Sequence, residues 1–274
     1  MTPTAPQQAS RLSAIFDDCG PLIIACSGGI DSLLLATLAH RYDPTTTVVA
    51  HTVTPAVPSA GTARVVTHAR SEGWNLEIVR SNEFDDERYL SNPTNRCYYC
   101  KTNLYDAVVA LTHLESAAPR ATIVSGANLD DLGEYRPGLI AADENHVRHP
   151  YIEADMGKAD IRSLARHLGL DEAELPAEPC LASRLYTGTR VTEARLRAIE
   201  LGEAVLRAAG SLVVRCRVRD HDVLVEVPDE DRIAITPGLL NDVLRAMQAA
   251  EPEICTVSLD ERPYRPGQAV LQVR

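Results

Sequence analysis

Three stretches of the chain combine residue types that do chemistry. The first is Ser27-Gly28-Gly29-Ile30-Asp31-Ser32, which follows the apolar run Leu22–Cys26 and precedes Leu33, Leu34, Thr37 and Leu38 at helical spacing. A strand turning through glycines into a helix is a phosphate-binding arrangement. Glycines let the backbone approach an anion, and the helix start offers unpaired N–H groups and the positive end of its dipole. Two glycines alone would read as a tight turn; the whole hexamer behind a buried strand is more specific. It lacks the Gly-Lys-Ser/Thr ending of a Walker loop and the GxGxxG dinucleotide spacing.

The second stretch, Arg96-Cys97-Tyr98-Tyr99-Cys100-Lys101, places a C-x-x-C at the start of a helix, where the dipole and the cations favour thiolates. A zinc ribbon wants a second such pair, and the sequence has none. A redox pair or a sulfur or cluster site remains, the latter needing a further cysteine. The third stretch, Glu178-Pro179-Cys180-Leu181-Ala182-Ser183-Arg184, supplies that candidate in a proline-marked loop. Cys26, Cys216 and Cys255 read instead as small hydrophobes of strands.

Further groups flank these. Asp130, Asp131 and Glu134 put three carboxylates within five residues, either a solvated helix cap or a weak magnesium site at Asp131 and Glu134. Lys158 and Lys101 are the only lysines, and Lys158 opens a helix where it can meet a phosphate or stand exposed. Arg215, Arg217 and Arg219 alternate with Val214, Cys216 and Val218 on one strand. Three like charges about 7 Å apart repel unless an anion or carboxylates sit between them.

The elements that position these groups alternate between strand and helix. Leu22–Cys26, Thr47–Val53, Leu76–Val79 and Ala121–Ser125 read as strands; the segments after Ile30, after Ser59, from Lys101 and from Lys158 read as helices. That order implies an α/β fold, a parallel sheet covered by helices on both faces, with ligands at the carboxyl ends of its strands. After Arg184 the order becomes helix, two strands, helix, strand, which implies a small α+β second domain. The expected division is 1–187 and 188–274.

Length and composition are consistent with this. The chain has 274 residues, 45% hydrophobic and 24% charged, with net charge −11. It is neither disordered nor a polytopic membrane protein. The acidic balance disfavours nucleic acid and membrane surfaces as partners. The first twenty residues lack an apolar run, so no signal peptide is expected, and seven scattered cysteines do not form a secreted disulfide framework. A cytoplasmic location is expected.

Taken together, SGGIDS, NPTNRCYYCK, GANLDDLGEYRPGL and EPCLASR resemble the LarE family, ATP-dependent sulfur transferases of nickel-pincer nucleotide synthesis within the PP-loop ATP pyrophosphatase superfamily. The resemblance spans residues 21–227. It implies that Ser27, Gly28, Gly29 and Ser32 cradle pyrophosphate, and that Asp31 holds magnesium or shapes the loop. It also implies that Thr52, within the segment 51–55, and Gly126 face adenine and ribose. Family members with one cysteine at the Cys180 position are thought to sacrifice its sulfur. Members with cysteines also at the Cys97 and Cys100 positions are thought to hold a 4Fe–4S cluster that donates sulfide, and this chain has all three. The implied substrate is pyridinium-3,5-biscarboxylic acid mononucleotide, contacted by Ser183, Arg184, Arg217 and Arg219; the family's arginine near Leu224 is absent here. ATP, Mg2+ and the cluster are the implied cofactors. A homo-oligomer with transient contact to a nickel-inserting enzyme and a sulfide source is also expected. The competing readings are a tRNA thiolase, an NAD synthetase-like ligase, and a zinc-stabilised nucleotide-binding protein without turnover.

Overall fold

The chain begins in a helix that its residue pattern barely announces. In α1 (Ala5–Cys19) the only large apolar side chains brought fully inside are Leu12 and Phe16, one turn apart. The start is set by Thr4, whose amide donates to Gln7 Oε1 at 2.9 Å, and by a proline in the first turn. Gly20, at φ 70°, ends it. The computed structural model describes residues 3–112, 120–133 and 136–265.

After α1 come β1 (Leu22–Ala25), α2 (Ile30–Tyr42), β2 (Thr47–Thr52), α3 (Ser59–Glu72), β3 (Asn75–Val79), α4 (Glu87–Leu90), α5 (Arg96–Leu111), β4 (Thr122–Ser125), α6 (Pro137–Glu144), α7 (Pro150–Glu153) and α8 (Lys158–His167). The four strands form one parallel sheet in the order β3-β2-β1-β4. Side chains alternate across its plane. Leu22 and Ile24 of β1, Val49 of β2 and Val124 of β4 pack with Leu12 and Phe16 of α1, Leu34 of α2, Val65 of α3 and Ile161 of α8. Ile23, Val48, Ala50 and Ile123 face the other way, onto Tyr105, Val108 and Leu111 of α5 and Ala142 of α6. Burial on both faces is why β1 reads as an uninterrupted apolar run rather than an alternating one.

The remaining elements are α9 (Glu193–Ala208), β5 (Arg215–Arg219), β6 (Asp222–Glu226), α10 (Pro237–Gln248) and β7 (Thr256–Leu259). The three strands form a second sheet in which β5 and β6 are antiparallel, turning at Asp220 (φ 53°), while β6 and β7 are parallel. Thr192 caps α9 by accepting from the Arg195 amide at 3.2 Å. The chain divides into two compact units, Met1–Asp85 with Cys97–Glu178, and Asp86–Arg96 with Pro179–Arg274. In the second unit the excursion through residues 86–96 is held by buried Asn92, whose Nδ2 donates to the carbonyls of Tyr186 and Thr189 at 2.8 Å.

Among the described residues no helix is long and apolar enough to cross a membrane.

Candidate functional site

In the first unit β1 and β4 leave the sheet side by side. The order β3-β2-β1-β4 makes the gap between β1 and β4 the point where the chain's direction of winding reverses. The loop from Cys26 to Ser32 fills the carboxyl end there. Gly28 takes φ 82°, and a Cβ on it would stand 2.5 Å from the Gly61 carbonyl oxygen of α3. Only glycine fits both the dihedral and the space. Gly126, just after β4, is also closely placed, though less tightly: its Cβ would lie 3.0 Å from the Asp31 carbonyl carbon and from the Ser32 amide nitrogen.

Ser32 organises the loop from inside. Its Oγ accepts from the Ser27 amide at 3.1 Å and donates to the Gly29 carbonyl at 3.0 Å, with Ser27 Oγ 3.2 Å away. His51, wholly buried in β2, bonds the Cys26 carbonyl through Nδ1 at 2.8 Å and Thr62 Oγ1 through Nε2 at 2.9 Å. A carbonyl only accepts, so Nδ1 carries the proton and Nε2 accepts from Thr62. Burial lowers the His51 pKa, keeping the ring neutral. The loop is therefore stiff before any ligand arrives.

Asp31 sits in the first turn of α2. Burial raises its carboxyl pKa above the ordinary value, and Asp131 and Asp130 push the same way, while Lys158 and Arg162 pull against them. Asp130 Oδ2 accepts from the Lys158 amide at 2.6 Å; Asp131 accepts from the Asn128 amide at 3.1 Å and pairs with Arg136 at 3.2 Å. The Lys158 side chain is exposed. Thr52 Oγ1 at the end of β2 and Asn128 Nδ2 beyond β4 are buried with no hydrogen-bond partner. Glu134 lies outside the described residues.

In the second unit Cys180 precedes a single 3-10 turn, Leu181–Arg184. Arg184 is fully buried; its Nε and Nη2 meet both carboxylate oxygens of Glu203 on α9 at 2.8 and 3.0 Å, and its Nη1 reaches the Pro179 and Cys180 carbonyls. Arg217 on β5 donates to Glu226 at 2.9 Å and to the Ser183 carbonyl at 2.7 Å. Two buried guanidinium groups thus fix the backbone on either side of a partly exposed thiol. The arginine face of β5 is settled by internal partners: Arg217 by Glu226, Arg215 over the Tyr264 ring at 5.0 Å, and Arg219 over Tyr186 at 4.3 Å. Only Arg219 of the three is exposed.

Cys97 and Cys100 lie at i and i+3 on the opening turns of α5, neighbours on one helix face, Cys97 exposed and Cys100 partly so. None of the seven cysteines forms a disulfide. Cys26 and Cys216 are core thiols as expected, but Cys255 is exposed and stands just before β7 rather than inside it. Among the described residues no three His, Cys, Asp or Glu side chains gather as a metal site.

No family model matches the chain. An uncharacterized protein of Synechocystis sp. is 34% identical over 220 residues, 80% of this chain and 81% of that one. An uncharacterized protein of Methanocaldococcus jannaschii is 30% identical over 209 residues, 76% and 78% of the two chains. The pyridinium-3,5-bisthiocarboxylic acid mononucleotide synthase of Lactiplantibacillus plantarum is 28% identical over 229 residues, 82% and 81%. The chain belongs to this LarE-like family.

In this LarE-like chain the sequence pattern marks the loop, the thiols and the arginines but not the groups that hold them. Glu203 and Glu226 give no local signal, since each is an ordinary acidic residue in an amphipathic element until the fold buries it beside an arginine. Tyr151, whose hydroxyl donates to the Asp31 carbonyl at 3.0 Å, and Arg64, which donates to the Gly28 carbonyl at 3.0 Å, lie far from the loop in sequence.

Proposed function

We propose that the protein is an ATP-dependent sulfur transferase that converts a carboxylate of pyridinium-3,5-biscarboxylic acid mononucleotide into a thiocarboxylate. The observation that carries the reading is the stiff glycine loop at the winding reversal of a parallel sheet, on a chain that also fixes the backbone around an accessible Cys180. The similarity to a synthase of the bisthiocarboxylic mononucleotide supports the substrate.

The loop is a PP-loop in this reading. A substrate carboxylate oxygen attacks the α-phosphorus of ATP, the bond to the β-phosphate oxygen breaks, and pyrophosphate leaves as an acyl-adenylate forms. The amides of the loop and the first turn of α2 receive the leaving charge, already oriented by Ser32. Thr52 Oγ1 and Asn128 Nδ2, the orphaned buried atoms flanking the loop, supply a hydroxyl and an amide for the nucleoside, with the Gly126 backbone beside them. Asp31 fits a magnesium ligand: its carboxylate is crowded by burial and by Asp130 and Asp131, which a divalent cation relieves. A magnesium ion held there would neutralise phosphate charge. Lys158, exposed at the start of α8, adds a cation.

Sulfur then displaces AMP from the acyl carbon. Cys97, Cys100 and Cys180 suit soft-metal ligation, being thiols outside the core, and an iron–sulfur centre on them would supply hydrosulfide. Arg184 and Arg217 hold the Cys180 turn through backbone carbonyls, and the Ser183 hydroxyl with exposed Arg219 remains for the substrate phosphate.

Pyrophosphate release tests the reading. It should depend on both ATP and the pyridinium dicarboxylate mononucleotide. Release driven by tRNA, or by ammonia with a nicotinate dinucleotide, would replace the proposal with a thiolase or a ligase.

A further inference from the structure

We propose that Arg64 is a positioning residue that couples occupancy of the phosphate loop to the placement of Glu178, at the head of the Cys180 segment; the inference rests on the PP-loop reading above. Arg64 lies on α3 and makes two contacts with one guanidinium. Its Nε donates to the Gly28 carbonyl at 3.0 Å, and its Nη2 pairs with Glu178 at 2.7 Å. Both side chains are about four-fifths buried, at 20% and 19% exposure. Glu178 is two residues before Cys180, and the intervening Pro179 presents its carbonyl to Arg184. One side chain therefore touches the backbone that would hold pyrophosphate and the segment that leads directly to the thiol.

The contact with Gly28 fixes a donor as well as a carbonyl. In a trans peptide the C=O and the following N–H point in opposite directions. With the Gly28 oxygen drawn toward Arg64, the Gly29 N–H is turned to the other side, where it lies 3.5 Å from Ser27 Oγ. The close approach of α3 to the loop at Gly61 leaves the Gly28 peptide little room to rotate. An anion held by the amides of the loop adds to the restraint on the Gly28 peptide and so stabilises the bridging position of Arg64, and that position holds Glu178. Linkage makes the effect mutual: a held Glu178 strengthens anion binding at the loop. The planar guanidinium is needed because its nitrogens reach both partners at once, whereas a lysine ammonium on a flexible stem serves one.

Hydrogen exchange of the full-length protein, with and without magnesium pyrophosphate, reads both ends separately. In the wild type, peptides covering residues 26–33 and 171–178 should both slow on ligand addition. In Arg64→Gln and Arg64→Lys the first peptide should still slow and the second should not. Glu178→Gln should weaken pyrophosphate about three- to ten-fold without touching the loop. Full rescue by lysine, or wild-type affinity in Glu178→Gln, would overturn the coupling and leave Arg64 a general cation. Slowing at 26–33 alone in the wild type would overturn the coupling and keep the phosphate loop. No slowing at 26–33 in the wild type would remove the PP-loop reading itself, and the coupling with it.

Discussion

Arg184 and Glu203 form a two-pronged ion pair, at 2.8 and 3.0 Å, with both side chains fully excluded from solvent. Glu203 also accepts from the Cys216 amide at 3.2 Å and from Arg207 at 2.9 Å, so one carboxylate ties α9, β5 and the Cys180 turn together. Removing one partner of such a pair strands a charge away from water. Glu203→Gln should lose about 3–5 kcal/mol of stability in chemical denaturation. Arg184→Met combined with Glu203→Leu should lose much less than the two single changes added together. Additive losses would mean that the pair acts only through packing.

Gly28→Ala tests the loop backbone. The added methyl meets the Gly61 carbonyl at 2.5 Å and holds an alanine at φ 82°. A strain of about 1–3 kcal/mol is expected. Relieving it must move the loop from α3, so pyrophosphate release should fall by orders of magnitude while the second unit is unaffected. Wild-type turnover in this variant would show that the loop does not hold the reacting phosphates.

Asp31 gives a pH-dependent signature. Its folded pKa is raised, chiefly by burial and next by Asp131. Its contribution to stability is therefore complete below about pH 3.9, the ordinary aspartate value, and is lost as pH rises through the higher folded value. At pH 7, well above the ordinary aspartate value, the raised pKa costs the fold stability. Asp31→Asn should keep or raise the melting temperature at pH 7, with the advantage vanishing below about pH 4, and should stop ATP-dependent pyrophosphate release. A lower melting temperature at pH 7 would show that the carboxylate is a structural group instead.

The three candidate sulfur cysteines should separate stability from chemistry. Cys97, Cys100 and Cys180 lie outside the core, so alanine at each should shift stability by no more than about 0.5 kcal/mol. Cys216→Ala, in contrast, empties a fully buried site and should destabilise measurably. If an iron–sulfur centre supplies the sulfur, any of the three changes lowers iron content and ends repeated turnover in anaerobically purified protein. If Cys180 gives its own sulfur, only Cys180→Ala is inactive, and used wild-type protein is lighter by the mass of one hydrogen sulfide.

What was legible in the residues divides along a physical line. β1 and α2 stand out because a strand buried on both faces is an uninterrupted apolar run and the following helix buries Leu33, Leu34 and Leu35. α1 does not, because its inward face carries few large apolar residues and its start depends on a cap. On β5 the alternation of arginine with Val214, Cys216 and Val218 is visible, but the solvation of the arginine side is not. Arg217 is buried because Glu226, diagonally across from it on β6, and the Ser183 carbonyl accept from it. Cys255 reads as a strand thiol but is exposed: it stands one residue before β7, an edge strand whose own Thr256 and Ser258 are exposed as well. Arg64 carries no sequence signal; its role comes from a helix pressed against a loop thirty-six positions away.

The most direct test is the stoichiometry of the reaction. Anaerobically purified protein should be incubated with Mg2+, ATP and pyridinium-3,5-biscarboxylic acid mononucleotide, with pyrophosphate quantified and the mononucleotide weighed by mass spectrometry. The account predicts one pyrophosphate released for each carboxylate oxygen replaced by sulfur, and neither event without ATP. Pyrophosphate release that leaves the mononucleotide mass unchanged in the presence of a sulfide source, or sulfur incorporation that proceeds without ATP, would contradict it.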